Sequence, residues 1–233
     1  MTASIPENIR EVRHQISQFE KLYHRPEGSV MLLAVSKTHS ATTILQAVGC
    51  GQLAFGENYL QEALDKIQTL QSRHLDWHFI GPIQSNKTRA IAEHFSWVHS
   101  VDRSKIALRL SEQRPVTLPP LKVLLQVKLD DELSKSGIAL NDISKLANEV
   151  SRLPNIELAG LMSIPAPGKN FAQQRTVFRR LAEARDELLK QGYSSCQHLS
   201  MGMSADKEAA IAEGSTIVRI GTDIFGPRPN PHE

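Results

Sequence analysis

The sequence has no long apolar run. The apolar run Met31–Val35, for example, is far too short to cross a bilayer. Residues 1–23 are charged throughout and lack the apolar stretch of a secretory signal, so no export or membrane segment is expected. Cysteine is scarce. Cys50 and Cys196 have no metal-ligand spacing and cannot form a disulfide framework, which points to a reducing cytoplasm. No charge of one sign dominates: 27 Lys and Arg stand against 25 Asp and Glu, interleaved along the chain, and the net charge is +2. That balance excludes the basic footprint of a nucleic-acid binder and the polybasic patch of a membrane-surface protein. HExxH and CxxC are absent, so no metal is expected. GxSxG is absent too, which leaves acyl-enzyme chemistry without support.

The 233 residues, 40% hydrophobic and 22% charged, suit one soluble globular domain spanning 1–233. Residues 6–23 read as an amphipathic helix, with Ile9, Val12, Ile16, Phe19 and Leu22 along one stripe. Short apolar runs then alternate with helical segments to the end of the chain. The runs are MLLAVSK, QLAFGEN, DWHFIG, SWVHSVD, KVLLQVKL, IELAGLMSI, CQHLSMG and STIVRIGT. Between them, Ser40 can cap a helix to Val48. Further helices are expected at about 86–94, 141–152 and 171–191, and from Ser204 to Gly214. QRPVTLPPL, with three prolines, is a loop within the domain, and the tail FGPRPNPHE carries nothing regular. Eight strands separated by helices predict a single (β/α)8 TIM barrel with one extra N-terminal helix. The open doubly wound sheet is the alternative, but its GxGxxG fingerprint is missing.

In such barrels the chemistry sits at the C-terminal ends of the strands. Lys37 closes the first strand, and alternation puts it on the same side as Leu33 and Val35. Facing inward, it would be a partly desolvated amine above apolar layers, as a Schiff-base lysine requires; facing outward, it is ordinary surface. HLSMGMSAD and VRIGTDIFG come from the seventh and eighth strands, where barrels often hold phosphate. There Gly221 and Thr222 offer backbone amides, and Ser200 and Ser204 offer hydroxyls, with Ser204 also opening a helix. The bland reading makes these residues turns and a cap; two such segments on adjacent strands favour the phosphate site. Arg219 lies mid-strand among Ile217, Val218 and Ile220 with no carboxylate on its side, so it needs an acceptor that a ligand could supply. His78 and His99, each close behind a tryptophan, read as satisfied core histidines.

LLAVSKTH, FGENYLQE, WHFIGPIQSNK, SKSGI, GLMSIPAP, LSMGMSAD and VRIGTDIFG, in this order across nearly the whole chain, resemble the YggS/PROSC family of pyridoxal phosphate homeostasis proteins. The resemblance implies a fold-type III barrel similar to the N-terminal domain of alanine racemase, holding pyridoxal 5'-phosphate (PLP) as an internal aldimine on Lys37. It further implies that Arg219 faces the pyridine nitrogen, that Ser200, Gly221 and Thr222 hold the phosphate, and that Asn58 lies beside the ring. The motifs match throughout; departures fall in loops such as PAPGKN and in the tail. An arginine opposite the ring nitrogen makes the cofactor a weak electron sink. The second base of a racemase would have to come from Tyr23, Tyr59 or Tyr193, and no second domain is expected. The expected role is therefore a monomeric, cytoplasmic carrier that buffers PLP or delivers it to apo PLP-dependent enzymes, without substrate turnover. A slow PLP-dependent racemase or lyase, with Tyr59 supplying the second proton, is the alternative. A class I aldolase using Lys37 on a phosphosugar is a third.

Overall fold

A computed structural model of the chain describes residues 4–129, 136–166, 168 and 170–227. Eight parallel strands close into a barrel in sequence order: β1 (Met31–Val35), β2 (Ala54–Glu57), β3 (Asp76–Phe79), β4 (Trp97–Val101), β5 (Leu121–Gln126), β6 (Ile156–Met162), β7 (His198–Ser200) and β8 (Ile217–Ile220). The ring closes where β1 pairs with β8, Leu33 opposite Arg219. Between the strands lie α2 (Ala41–Val48), α3 (Leu60–Thr69), α4 (Thr88–His94), α5 (Ser104–Gln113), α6 (Ile143–Val150), α7 (Phe171–Lys190) and α8 (Lys207–Ala212). The extra helix α1 (Ile5–Leu22) precedes them, and a single helical turn, α9 (Thr222–Phe225), follows β8.

Strand alternation divides the apolar residues into two cores. Leu33, Trp97, Leu124, Ala159, Met162 and Ile217 fill the barrel interior. Their strand neighbours, among them Leu32, Ala34, Phe55, Phe79, Val98 and Leu161, face outward into the layer beneath the helices. Both faces of each strand are thus buried, which explains why the strands read as near-continuous apolar runs. Helix α1 starts where the Glu7 carboxylate accepts the Ser4 N–H and O–H, at 2.8 and 2.9 Å. It buries Ile9, Val12 and Ile16, and its Asn8 Nδ2 donates to the Ile224 carbonyl at 2.9 Å. That bond ties the first helix to the turn after the last strand, at the mouth of the barrel.

Three expectations need correction. β1 ends at Val35, so Lys37 sits just beyond the strand, before Thr38 at φ 68°. Ser204 does not cap α8: Asp206 is the N-cap, its Oδ1 accepting the Met203 N–H at 2.6 Å, and Ser204 lies in the preceding turn. Thr222, expected to end the eighth strand, and Phe225, expected to open the irregular tail, both lie in α9. Parts of SKSGI (Ser134, Lys135), of PAPGKN (Pro167, Lys169) and of the tail (228–233) lie outside the described residues.

Candidate functional site

The C-terminal ends of the strands surround a cavity of about 280 Å³. Its wall includes Lys37, Asn58, Arg219, Gly221 and Thr222, together with Ser204 and His39. Val35, Ile80, Ile164 and Met203 make the rest largely apolar. Five of the six residues expected to bind a ligand therefore meet in one place. Sequence reasoning missed the apolar part of the wall, because it searched the strand ends for polar atoms alone.

Lys37 is held from both sides. On one, the Ser36 hydroxyl donates to Glu57 Oε1 at 2.6 Å, and the Ser36 carbonyl accepts from Lys66 Nζ at 2.8 Å. On the other, the Thr38 N–H donates to Glu62 Oε1 at 2.6 Å. Lys66, on α3, joins the two, with its Nζ 2.8 Å from Glu57 Oε1 and 2.5 Å from Glu62 Oε1. Glu57 is fully buried. Burial pushes its carboxyl up, and the Lys66 ammonium pulls it back only in part. The buried pair fixes the backbone at 36, and Glu62, bonded to the same Lys66, fixes it at 38, so Lys37 is presented to the cavity from a support held on both sides. His39, stacked on Phe225 with ring centroids 4.9 Å apart, closes the same side. Burial, and then the charge of Lys66, lower its pKa.

Arg219 is only 4% exposed, and the acceptor it needs comes partly from the protein. Nη1 donates to the Ser200 carbonyl at 2.6 Å and to Ser200 Oγ at 2.7 Å, while Nη2 donates to the Ser163 carbonyl at 2.9 Å. No carboxylate pairs with it among the described residues. Burial lowers its pKa to about 10, with the Asp206 charge acting in the other direction. Three of the five N–H donors are thus engaged, and the guanidinium still borders the cavity.

Ser200 is the one expected ligand residue that does not line the cavity. β7 pairs with β8 so that Ser200 lies opposite Ile217, one layer below Arg219, and the hydroxyl is fully buried there. Besides Arg219 it contacts His99 Nδ1 at 2.8 Å. His99 Nε2 is 2.9 Å from His78 Nδ1, and His78 Nε2 is 3.1 Å from Asp76 Oδ2. The two histidines are indeed satisfied core residues, but they are satisfied by one another and by the support of Arg219.

The opposite wall is set by close backbone approach. A Cβ on Gly81 would lie 2.2 Å from the Asn58 carbonyl oxygen, so only glycine lets the two loops meet there. Asn58 Oδ1 is buried without a hydrogen-bond partner, an unspent polar atom on the cavity wall. A Cβ on Gly221 would approach the Val35 carbonyl at 3.3 Å, which keeps the backbone before α9 tight against β1. Tyr59 is the N-cap residue of α3, 52% exposed, and lies outside the cavity wall.

Residues 8–229 match the family described as alanine racemase, N-terminal domain. The pyridoxal phosphate homeostasis protein of Vibrio cholerae serotype O1 is 54% identical over 229 residues, covering 97% of each chain. PipY of Synechococcus elongatus PCC7942, whose structure was solved with PLP bound, superposes with a TM-score of 0.85 at 37% identity, covering 96% of this chain and 100% of PipY. Alanine racemase from Corynebacterium glutamicum shares the barrel fold alone, with a TM-score of 0.66 at 16% identity over 95% of this chain and 62% of the racemase. By these matches the chain belongs to the pyridoxal phosphate homeostasis proteins, a family built on the alanine racemase N-terminal domain.

Proposed function

We propose that this chain, as a single binding unit, holds PLP in the cavity between Lys37 and Arg219 and serves in PLP homeostasis, buffering the coenzyme in the cytoplasm or handing it to apo enzymes. The observation that carries the reading is the meeting of Lys37, Asn58, Arg219, Gly221 and Thr222 on one wall, in a chain so similar to relatives named for PLP homeostasis. The residues fit the group. A half-buried amine, a buried arginine and an unspent amide oxygen stand in an otherwise apolar pocket. PLP, when bound, supplies an aldehyde that condenses with a primary amine and a conjugated ring that draws electrons from the bond formed.

In this reading Lys37 would be the primary amine that holds the coenzyme through its aldehyde. Gly221 and Thr222 turn amides toward the phosphate, and Ser204, on the same wall, adds a hydroxyl in the place expected of Ser200. Asn58 takes up a polar substituent of the ring. Arg219 would donate a hydrogen bond to the ring nitrogen and keep its own proton, since even a pKa of about 10 leaves it charged at pH 7. The site then binds the coenzyme firmly while leaving it a poor electron sink. With Tyr59 outside the cavity wall, the racemase alternative lacks the residue assigned to its second proton transfer.

Parallel titrations with PLP and pyridoxal, read by visible absorbance, test the site. PLP should bind at least tenfold more tightly, as about 1.5–3 kcal/mol for each charge-assisted contact to the phosphate requires. Equal affinities would refute the phosphate assignment. Incubation of the loaded protein with amino acids in deuterium oxide then tests the carrier role. Little α-proton exchange is expected, and racemised product accumulating over many turnovers would overturn it.

A further inference from the structure

The barrel interior contains a line of polar contacts that the binding of a coenzyme does not by itself require. It runs Arg219, Ser200, His99, His78, Asp76, with successive contacts of 2.7, 2.8, 2.9 and 3.1 Å. Arg219 stands at the mouth. Asp76 opens β3, so it lies at the opposite end of the barrel, and its side chain is 39% exposed there. Ser200, His78 and His99 are fully buried between them.

The two ends fix the direction of every hydrogen bond in the line. A carboxylate only accepts, so His78 must donate from Nε2 to Asp76, which leaves its Nδ1 as an acceptor. His99 must then donate from Nε2, and its Nδ1 accepts the Ser200 hydroxyl proton. The Ser200 oxygen keeps a lone pair for Arg219, which only donates. Working from Arg219 instead leads to a compatible order. Burial lowers the pKa of both rings, with Asp76 pulling His78 back in part, and this keeps them in the neutral form the line needs. His78 is also stacked flat on Trp97, with centroids 5.3 Å apart and planes 7° apart, so its ring cannot turn freely. The charged or titratable groups facing the line from other strands are Lys122 of β5, beside Asp76 and His78, and His198 of β7, beside His99, whose own pKa burial lowers.

We propose that Asp76, His78 and His99 are positioning residues for Arg219, acting through Ser200 as a hydrogen-bond chain of one polarity that the Asp76 carboxylate fixes from the far end of the barrel. The proposal deepens the reading of the cavity as a PLP site and rests on it for the role of Arg219; the chain itself does not. Turning Asp76 into a neutral amide removes the constraint, because an amide can donate to His78 Nε2 as well as accept from it. The reversed polarity, with His99 donating from Nδ1 to Ser200, then becomes available. Ser200 would receive two donors, and the guanidinium would compete for its oxygen.

The test has two arms on the full chain. Side-chain 15N chemical shifts, measured without cofactor, report the tautomer of each imidazole. Both His78 and His99 should be neutral Nε2–H tautomers at pH 7. Asp76→Asn should shift His99, a ring it does not touch, toward Nδ1–H, and Asp76→Glu should restore the original form. The second arm measures PLP affinity, which should fall about fivefold to tenfold in Asp76→Asn, for loss of part of one hydrogen bond to a charged group, and recover in Asp76→Glu. Thermal melting checks that each variant is folded; if Asp76→Asn is not, Ser200→Ala substitutes for it, and should weaken PLP binding at least as much. A His99 signal that is charged or Nδ1–H in the wild type, or unmoved in Asp76→Asn, overturns the proposal. So does unchanged PLP affinity in a folded variant with altered tautomers. A wild type that fails to bind PLP refutes the PLP site itself, and the tautomers still decide the chain.

Discussion

Arg219 is a buried cation held by oxygen atoms that carry no formal charge. Two carbonyls and a hydroxyl take its donors on one side, and the cavity takes the other. Lysine has the charge but not the fork, so Arg219→Lys cannot bridge Ser163 and Ser200 at once. The variant should lose about 1–3 kcal/mol of stability and bind PLP more weakly, both measurable by melting with and without the coenzyme. At the other end of the cavity the proposed phosphate donors are the backbone amides of Gly221 and Thr222. Thr222→Glu leaves them in place but sets a carboxylate beside the expected phosphate. Titration should show PLP binding weakened tenfold or more and pyridoxal binding nearly unchanged. A parallel loss for both vitamers would show that Thr222 contacts the ring and not the phosphate.

At the scale of elements, the loops after β2 and β3 support one side of the cavity through a single close approach. Gly81→Ala would push a methyl group into the Asn58 carbonyl, so the end of β2 must shift. A loss of about 1–3 kcal/mol is expected, with PLP affinity falling as Asn58 moves; unaltered melting would mean the loops yield freely. Most of the architecture was legible because its signal is local. Eight apolar runs of strand length, each bounded by turn residues, admit few arrangements, and alternation along β1 and β8 correctly turned Leu33 and Arg219 inward. The assignment of Ser200 depended on stagger between strands, which no single strand encodes. Only the pairing of Ser200 with Ile217 shows that it lies a layer too deep for the cavity. The same stagger brings His78 beside His99, 21 residues apart, and hides their connection from any local reading. Ser204 had the chemistry of a helix cap, but Asp206, two residues on, accepts the Met203 N–H and takes that place.

Over the whole molecule, neutral histidines in the core make stability depend on pH. Burial lowers the folded-state pKa values of His78 and His99 below the ordinary 6.5. As pH falls below that value, the unfolded chain takes up protons that the folded chain refuses, so folding stability falls with pH. The contribution is complete above about 6.5 and is lost progressively toward the depressed folded-state values. Asp76, which His78 holds below the usual carboxylate range against the effect of burial, adds a loss of the same sign at still lower pH. Melting temperature should drop from pH 7 to pH 5, and the drop should be shallower in His99→Phe; an equal slope in both proteins would mean the rings are not neutral in the fold. Among the described residues no helix is long and apolar enough to cross a membrane, and both cysteines are free thiols. The proposed function places PLP on Lys37 through one covalent link, and one measurement tests that link directly. The loaded protein is treated with borohydride, which reduces a C=N bond to a stable amine, then digested, and the modified peptide is identified by mass. The account predicts one pyridoxyl group per chain, on Lys37, and no stoichiometric adduct in Lys37→Ala. A full adduct on another lysine, such as Lys128, with Lys37 unmodified would contradict it.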